Sequence, residues 1–157
     1  MPARPDPQRL DAWRAFLRAH AVLTDVLDRE LQAERQLPLA WYDVLLNLSE
    51  ADAGRLRMRD LAAGVMLSRS GLTRLVDRMA AAGLVAREPD PEDRRGTLAC
   101  ITAEGMQTLR RAAPVHLRGI EEHFASHLRD EEVAVVQAAM ERVSAPPTHR
   151  DRPSAAR

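Results

Sequence analysis

The side chains between Ser68 and Arg95 are of types and spacings that can read a nucleic acid. Ser68, Arg69, Ser70, Thr73 and Arg74 crowd the start of one helical repeat, SRSGLTRLVDRMAAAG. Hydroxyls hydrogen-bond bases or phosphates, and a guanidinium can pair bidentately with guanine. The unpaired N–H groups of a helix's first turn favour phosphate. Further on, Arg94 and Arg95 sit in DPEDRRG, a turn by composition. Paired arginines at a ribbon tip can enter a minor groove, whose negative potential attracts guanidinium. Each feature alone has a plainer reading. The helix face could simply be solvated, and the turn arginines could be neutralised by Asp90, Glu92 and Asp93.

The elements around these residues decide between the readings. Ser68 is a good N-cap, and Leu72, Leu75, Val76, Met79 and Ala80 recur at i, i+3, i+4, i+7 and i+8, which predicts a helix over 69–82. Gly83 follows at a position that needs a positive φ. Upstream, residues 58–65 make a short helix with Leu61, Ala62 and Val65 inward, joined through the small-residue stretch 64–67. Downstream, 84–89 reads as a strand and 97–101 as its returning partner. Residues 54–57 can add a short strand to that ribbon. Two short helices with a tight junction, then a hairpin, make a helix-turn-helix with a wing.

In SRSGLTRLVDRMAAAGLVAR and DPEDRRGTLACITAEG the chain resembles the MarR family of winged-helix transcriptional regulators. The likeness runs over residues 8–143 and is sharpest over 61–105. It implies that Ser68, Arg69, Ser70, Thr73 and Arg74 face the major groove of double-stranded DNA. It implies that Asp93 braces the wing by pairing with an arginine, and that Arg95 enters the minor groove. Arg94 occupies a more variable position. The redox-sensing members usually carry a reactive cysteine in the first helix, where this chain has none.

Long helices flank the reading head. Leu10, Trp13, Phe16, Leu17, His20, Leu23, Thr24, Leu27 and Leu31 follow a spacing of three and four, ending near Arg35. Pro38 opens a second helix with Trp41, Val44, Leu45 and Leu48 inward. Thr102 caps a third long helix, in which Pro114 predicts a kink or local break. A last helix spans 130–143, with Asp130, Glu131 and Glu132 as cap and first turn. The expected fold is therefore mainly α: a winged helix-turn-helix over 37–101, with dimerisation helices over 1–36 and 102–144 and a disordered tail over 145–157. One chain of this length cannot cover both terminal apolar stripes, which points to a homodimer with C2 symmetry and a pseudo-palindromic operator.

Trp13, Phe16, His20, Trp41, Tyr42 and His116 hold most of the ring side chains and are the candidates for an effector pocket. The resemblance places such a pocket beside the reading head, and the expected ligand is an aromatic or phenolic anion that releases DNA. His123 and His127, at i and i+4, have a spacing that can hold a metal ion, with Glu121, Glu122 and His116 near in sequence. Two histidines without a cysteine fall short of a site, so no metal or cofactor is expected. The alternatives are a zinc-responsive regulator of the same fold, or a helical interaction module that binds no DNA.

Composition narrows the classes. The 157 residues carry no net charge, and every basic side chain is arginine, since there is no lysine. Neutrality opposes simple polyanion binding, yet arginines outnumber acids between Arg55 and Arg95. No phosphate loop, nucleophile elbow or zinc-protease motif is present, so an enzyme is not expected. The single cysteine, Cys100, lies in the returning strand and reads as an ordinary strand residue. With no apolar run long enough for a membrane span and no secretory leader, the expected location is the cytoplasm.

Overall fold

A computed structural model describes residues 5–65 and 69–145. Helix α1 (Pro7–Arg35) begins where the Asp6 carboxylate accepts from the Arg9 N–H at 2.9 Å and Pro7 presets the first turn. It ends at Gln36, in the left-handed region at φ 54°. A proline and one hydrogen bond then set the course of α2 (Leu39–Glu50). Pro38 precedes it, and the Leu39 N–H donates to the Asp28 carboxylate of α1 at 2.7 Å. A short 3-10 turn (Asp52–Gly54) leads to strand β1 (Arg55–Arg57), helix α3 (Met58–Gly64) and helix α4 (Arg69–Ala81). Strands β2 (Val85–Asp90) and β3 (Asp93–Ile101) form the wing, and helices α5 (Ala103–His123) and α6 (Asp130–Ser144) complete the chain.

The sheet is antiparallel with order β1-β3-β2, so the last strand in the chain lies in the middle. Arg55 faces Cys100, Arg57 faces Leu98, and Val85 faces Ile101. The core gathers one face of every neighbouring element. Leu31 of α1, Val44, Leu45 and Leu48 of α2, Leu61 of α3, and Leu72, Val76 and Met79 of α4 are all buried, with Ala99 and Val115 closing the wing and α5 sides. The apolar spacing in α4 is thus the spacing of its buried face, which turns the polar face to solvent.

Thr102 locks the wing to α5. Its hydroxyl donates to the Gly83 carbonyl at 2.7 Å and accepts from the Gly105 N–H at 2.9 Å, while its own N–H reaches the Leu84 carbonyl at 3.2 Å. Gly83 makes that turn with φ +75°, as its position in the sequence requires.

Four expectations change. The returning strand begins at Asp93 rather than residue 97, so Arg94 and Arg95 belong to β3 and the turn tightens to Pro91 and Glu92. Ladder pairing back to the hairpin overrides the turn-forming composition. Helix α5 runs through Pro114 as one helix, without the local break that was one of the two expected outcomes there. The proline leaves the Arg110 carbonyl without its helical donor, and Arg35 of α1 donates to the adjoining Arg111 carbonyl at 2.9 Å. His123 and His127 do not share a helix, because α5 ends at His123 and His127 lies in a separate 3-10 turn (Ala125–His127). Finally, α6 is capped by Arg129, whose N–H donates to the Glu132 carboxylate at 3.0 Å, rather than by Asp130. The tail at 146–157, expected to be disordered, lies outside the described residues, as does Ser68 with its capping role. Among the described residues no helix is long and apolar enough to cross a membrane.

Candidate nucleic-acid interface

Helix α4 presents Ser70, Thr73, Arg74, Asp77 and Arg78 on its exposed side, opposite Leu72, Leu75, Val76 and Met79. Ser70, Gly71, Arg74, Asp77 and Arg78 border one shallow hollow on this face. Arg69 opens the helix, and Arg94 and Arg95 follow Asp93 at the base of β3. Between α4 and the wing lies a cleft of about 500 Å³ bordered by Arg57, Arg59, Thr73, Arg87, Asp90 and Thr97. Of the sequence-derived residues, Thr73 and Asp93 border this cleft, while Ser70 and Arg74 border the hollow on α4.

The wing is held by an ion pair that the sequence did not reveal. The Asp90 side chain is 3% exposed and meets the Arg57 guanidinium at 2.6 Å across the sheet. Its other oxygen accepts from the Glu92 N–H at 2.9 Å. Arg57 also reaches Glu92. Space for the buried carboxylate comes from Gly96, where a Cβ would stand 2.9 Å from the Asp90 Cβ. Asp90 pairs with Arg57 through tertiary folding, since 33 residues separate them in the chain. The signal available in the sequence was only an acid placed just before a Pro-Glu turn. Asp93, the acid expected to brace the wing, lies at the bulged Asp90–Asp93 pairing.

A second tie joins wing to helix. Arg87 of β2 meets Asp77 of α4 at 2.8 Å and donates to the Thr73 carbonyl at 3.3 Å. Arginines at the interface thus divide into those that fix the wing, Arg57 and Arg87, and those that present charge outward, such as Arg74.

The Glu92 N–H first, and then Arg57, hold the Asp90 carboxyl below its ordinary value of 3.8. A folded-state pKa below the unfolded one adds stability that is present above the unfolded value and is lost as pH falls through the folded one. Asp90→Asn should therefore loosen the wing at neutral pH, seen as faster hydrogen exchange of β2 and β3 amides. The gap between wild type and variant should shrink as pH falls below about 4. A gap unchanged from pH 7 to 3 would show that the carboxylate charge does not brace the wing.

The expected pocket residues do not converge within one chain. Tyr42 is buried and packs on His116 with the rings tilted at 43° and their centroids 4.3 Å apart. Burial lowers the pKa of His116 and, as the largest cause, raises that of Tyr42. Trp13, Phe16 and His20 instead form a row along the exposed side of α1, at 5.9 and 6.2 Å between successive rings. Trp41 packs against the core. His20 borders a hollow with Thr24, Asp25, Asp28, Leu39 and Asp43. Burial, and then a hydrogen bond and the charge of Glu88, raise the thiol pKa of Cys100. That disfavours the reactive thiolate and fits an ordinary strand residue.

Comparison with known proteins matches this arrangement. A model of the MarR family matches residues 35–96. The crystal structure of Sco3205, a MarR family regulator from Streptomyces coelicolor solved in complex with DNA, superposes with a TM-score of 0.84 at 34% identity, covering 92% of this chain and 90% of that one. This chain belongs to the MarR family. AbsC, another MarR family regulator of Streptomyces coelicolor, gives a TM-score of 0.81 at 35% identity over 90% of this chain and 95% of its own. The Bacillus subtilis transcriptional regulator YkoM is 27% identical over 79 residues, 50% of this chain and 51% of that protein. The chain thus matches about half the length of that curated relative. Membership of the MarR family makes the protein a transcriptional regulator rather than an enzyme.

Proposed function

We propose that the protein binds a pseudo-palindromic DNA operator as a homodimer and represses transcription until a small molecule releases it. The observation that carries this reading is the exposed polar face of α4 set beside the ion-pair-braced wing. In this reading α4 enters the major groove, with Ser68, Arg69, Ser70, Thr73 and Arg74 toward the bases and phosphates. The Arg95 guanidinium enters the flanking minor groove, assisted by Arg94, and Asp93 steadies the hairpin. The DNA complex of the similar Sco3205 supports the assignment of partner.

The homodimer rests on apolar surface that the single chain leaves uncovered. Trp13, Phe16 and Leu17 on α1, Leu117 on α5, and Val133, Val135, Met140 and Val143 on α6 are all exposed, and α6 buries no residue of its own. Exposed apolar residues grouped on neighbouring helices mark an interaction surface, and a second copy supplies a matching face. The paired heads would then lie one DNA turn apart, about 34 Å.

For the effector, the hollow at His20 carries Asp25, Asp28 and Asp43. These acids favour a basic or neutral ring over the aromatic or phenolic anion expected from the resemblance. Whatever its charge, the ligand releases DNA only through unequal affinity for the two head spacings.

The test is selection. The purified protein is incubated with fragmented DNA from its source at physiological salt, and the bound fragments are sequenced. The expected result is a shared inverted repeat, protected by a dimer in sedimentation. Random fragments, or a monomer on DNA, would remove the reading in favour of a helical interaction module.

A further inference from the structure

We propose that Glu30, Glu122 and His123 form a divalent metal site, of the zinc class, at the junction of α1 and α5. The sequence offers His123 with His127, but the fold separates those two and brings Glu30 to His123 from 93 residues away. The Glu30 carboxylate lies 2.6 Å from the His123 Nε2. One donor atom from each of Glu30, Glu122 and His123 lies within 4.8 Å of the other two.

Two further observations set this cluster apart from an exposed acidic patch. The Glu30 Oε2 is buried with no hydrogen-bond partner, an acceptor left unsatisfied at real cost. The structure also makes room for it: Gly119 lies directly beneath, and a Cβ there would stand 2.6 Å from that oxygen. The oxygen that meets His123 is Oε1, so a cation held by both oxygens of the carboxylate would satisfy the orphaned Oε2 as well.

The donor set selects the metal. One imidazole with two carboxylates, and no thiolate, suits a borderline divalent ion, with zinc bound more tightly than manganese or iron(II). Three protein ligands leave a fourth position for water. Zinc–ligand distances of about 2.0–2.2 Å require the imidazole and the Glu30 carboxylate to part slightly. Glu122, whose side chain is 56% exposed and whose neighbour Arg118 stands off at 4.0 Å, can then swing in to close the set. The bound ion would staple α5 to α1, the helix that exposes Trp13, Phe16 and Leu17. This site is independent of the DNA-reading surface.

The test is calorimetric titration of zinc chloride into the full-length protein, stripped with chelator, at neutral pH. One zinc per chain is expected. Glu122→Gln and His123→Gln should each weaken binding by more than the roughly 10–100-fold that loss of an outer-shell partner costs. Glu122 is exposed, so its substitution leaves folding intact, which an unchanged melting temperature without zinc would verify. Absence of zinc binding to the wild type, or wild-type affinity in either variant, would overturn the site.

Discussion

Alanine in place of Arg74 and Arg95 together is expected to abolish specific operator binding while leaving the dimer intact. A well-made bidentate contact to a base is worth about 1–3 kcal/mol, so each single substitution should weaken binding by roughly five- to 150-fold. The two residues lie on different elements, α4 and β3. Their losses should therefore add, to roughly 2–6 kcal/mol in the double variant. Arg74 is exposed on α4 beside Ser70 and Arg78, so its removal leaves no hole in the core. Fluorescence anisotropy on the selected operator and on a scrambled duplex separates two roles. Loss on the operator alone marks base reading. Equal loss on both, with a salt dependence shallower by about one unit, marks a phosphate contact. Wild-type affinity in the double variant would mean that α4 and the wing are not the reading head.

Gly105→Ala is expected to be the most damaging single methyl added to the protein. A Cβ at Gly105 would stand 2.1 Å from the Leu84 carbonyl oxygen and 3.1 Å from side-chain carbons of Leu45 and Ile101. The first of these is backbone, held at the entrance of the wing by the Thr102 N–H. It cannot rotate aside as a side chain would. Relief requires α5 to lift away from β2, breaking the Thr102 contacts to Gly83 and Leu84. Overpacking a well-packed core costs typically about 1–3 kcal/mol, and a clash with fixed backbone belongs at or above the top of that range. Denaturant unfolding should show a midpoint shift with little change in slope. The wing should lose its fixed position, and with it DNA affinity, even below the melting temperature. Unchanged stability would show that α5 and the wing are not locked together.

Gly105 illustrates what could be read from the sequence. The Thr-x-x-Gly pattern announced a helix start, and Thr102 is that cap. The glycine's own reason was invisible, because the atom it avoids belongs to Leu84, in the turn between α4 and β2. The same division runs through the wing. β-Favouring composition and the turn between located both strands, yet the tight turn at Pro91 and Glu92, and the place of Arg94 and Arg95 within β3, came from ladder pairing. Asp90 was passed over as one acid among several in a turn. Only folding brings Arg57 across the sheet to bury it.

Sequence by itself determined the elements, because periodicity, caps and turn chemistry are local. The three-and-four spacing fixed the buried face of α4, and therefore which of its side chains look outward. Positive φ at Gly83 and the cap at Thr102 fixed where α4 stops and α5 begins. Tertiary structure alone decided every pairing between distant residues: Arg57 with Asp90, Arg87 with Asp77, Tyr42 with His116, and Glu30 with His123. It divided the ring side chains into the inward Tyr42–His116 pair and an exposed row on α1, and it separated His127 from His123. The reason is physical. A helix or turn is stabilised by neighbours within about four residues, which the order of the chain displays. An ion pair or a ring stack depends on how whole elements pack, and no local pattern encodes that.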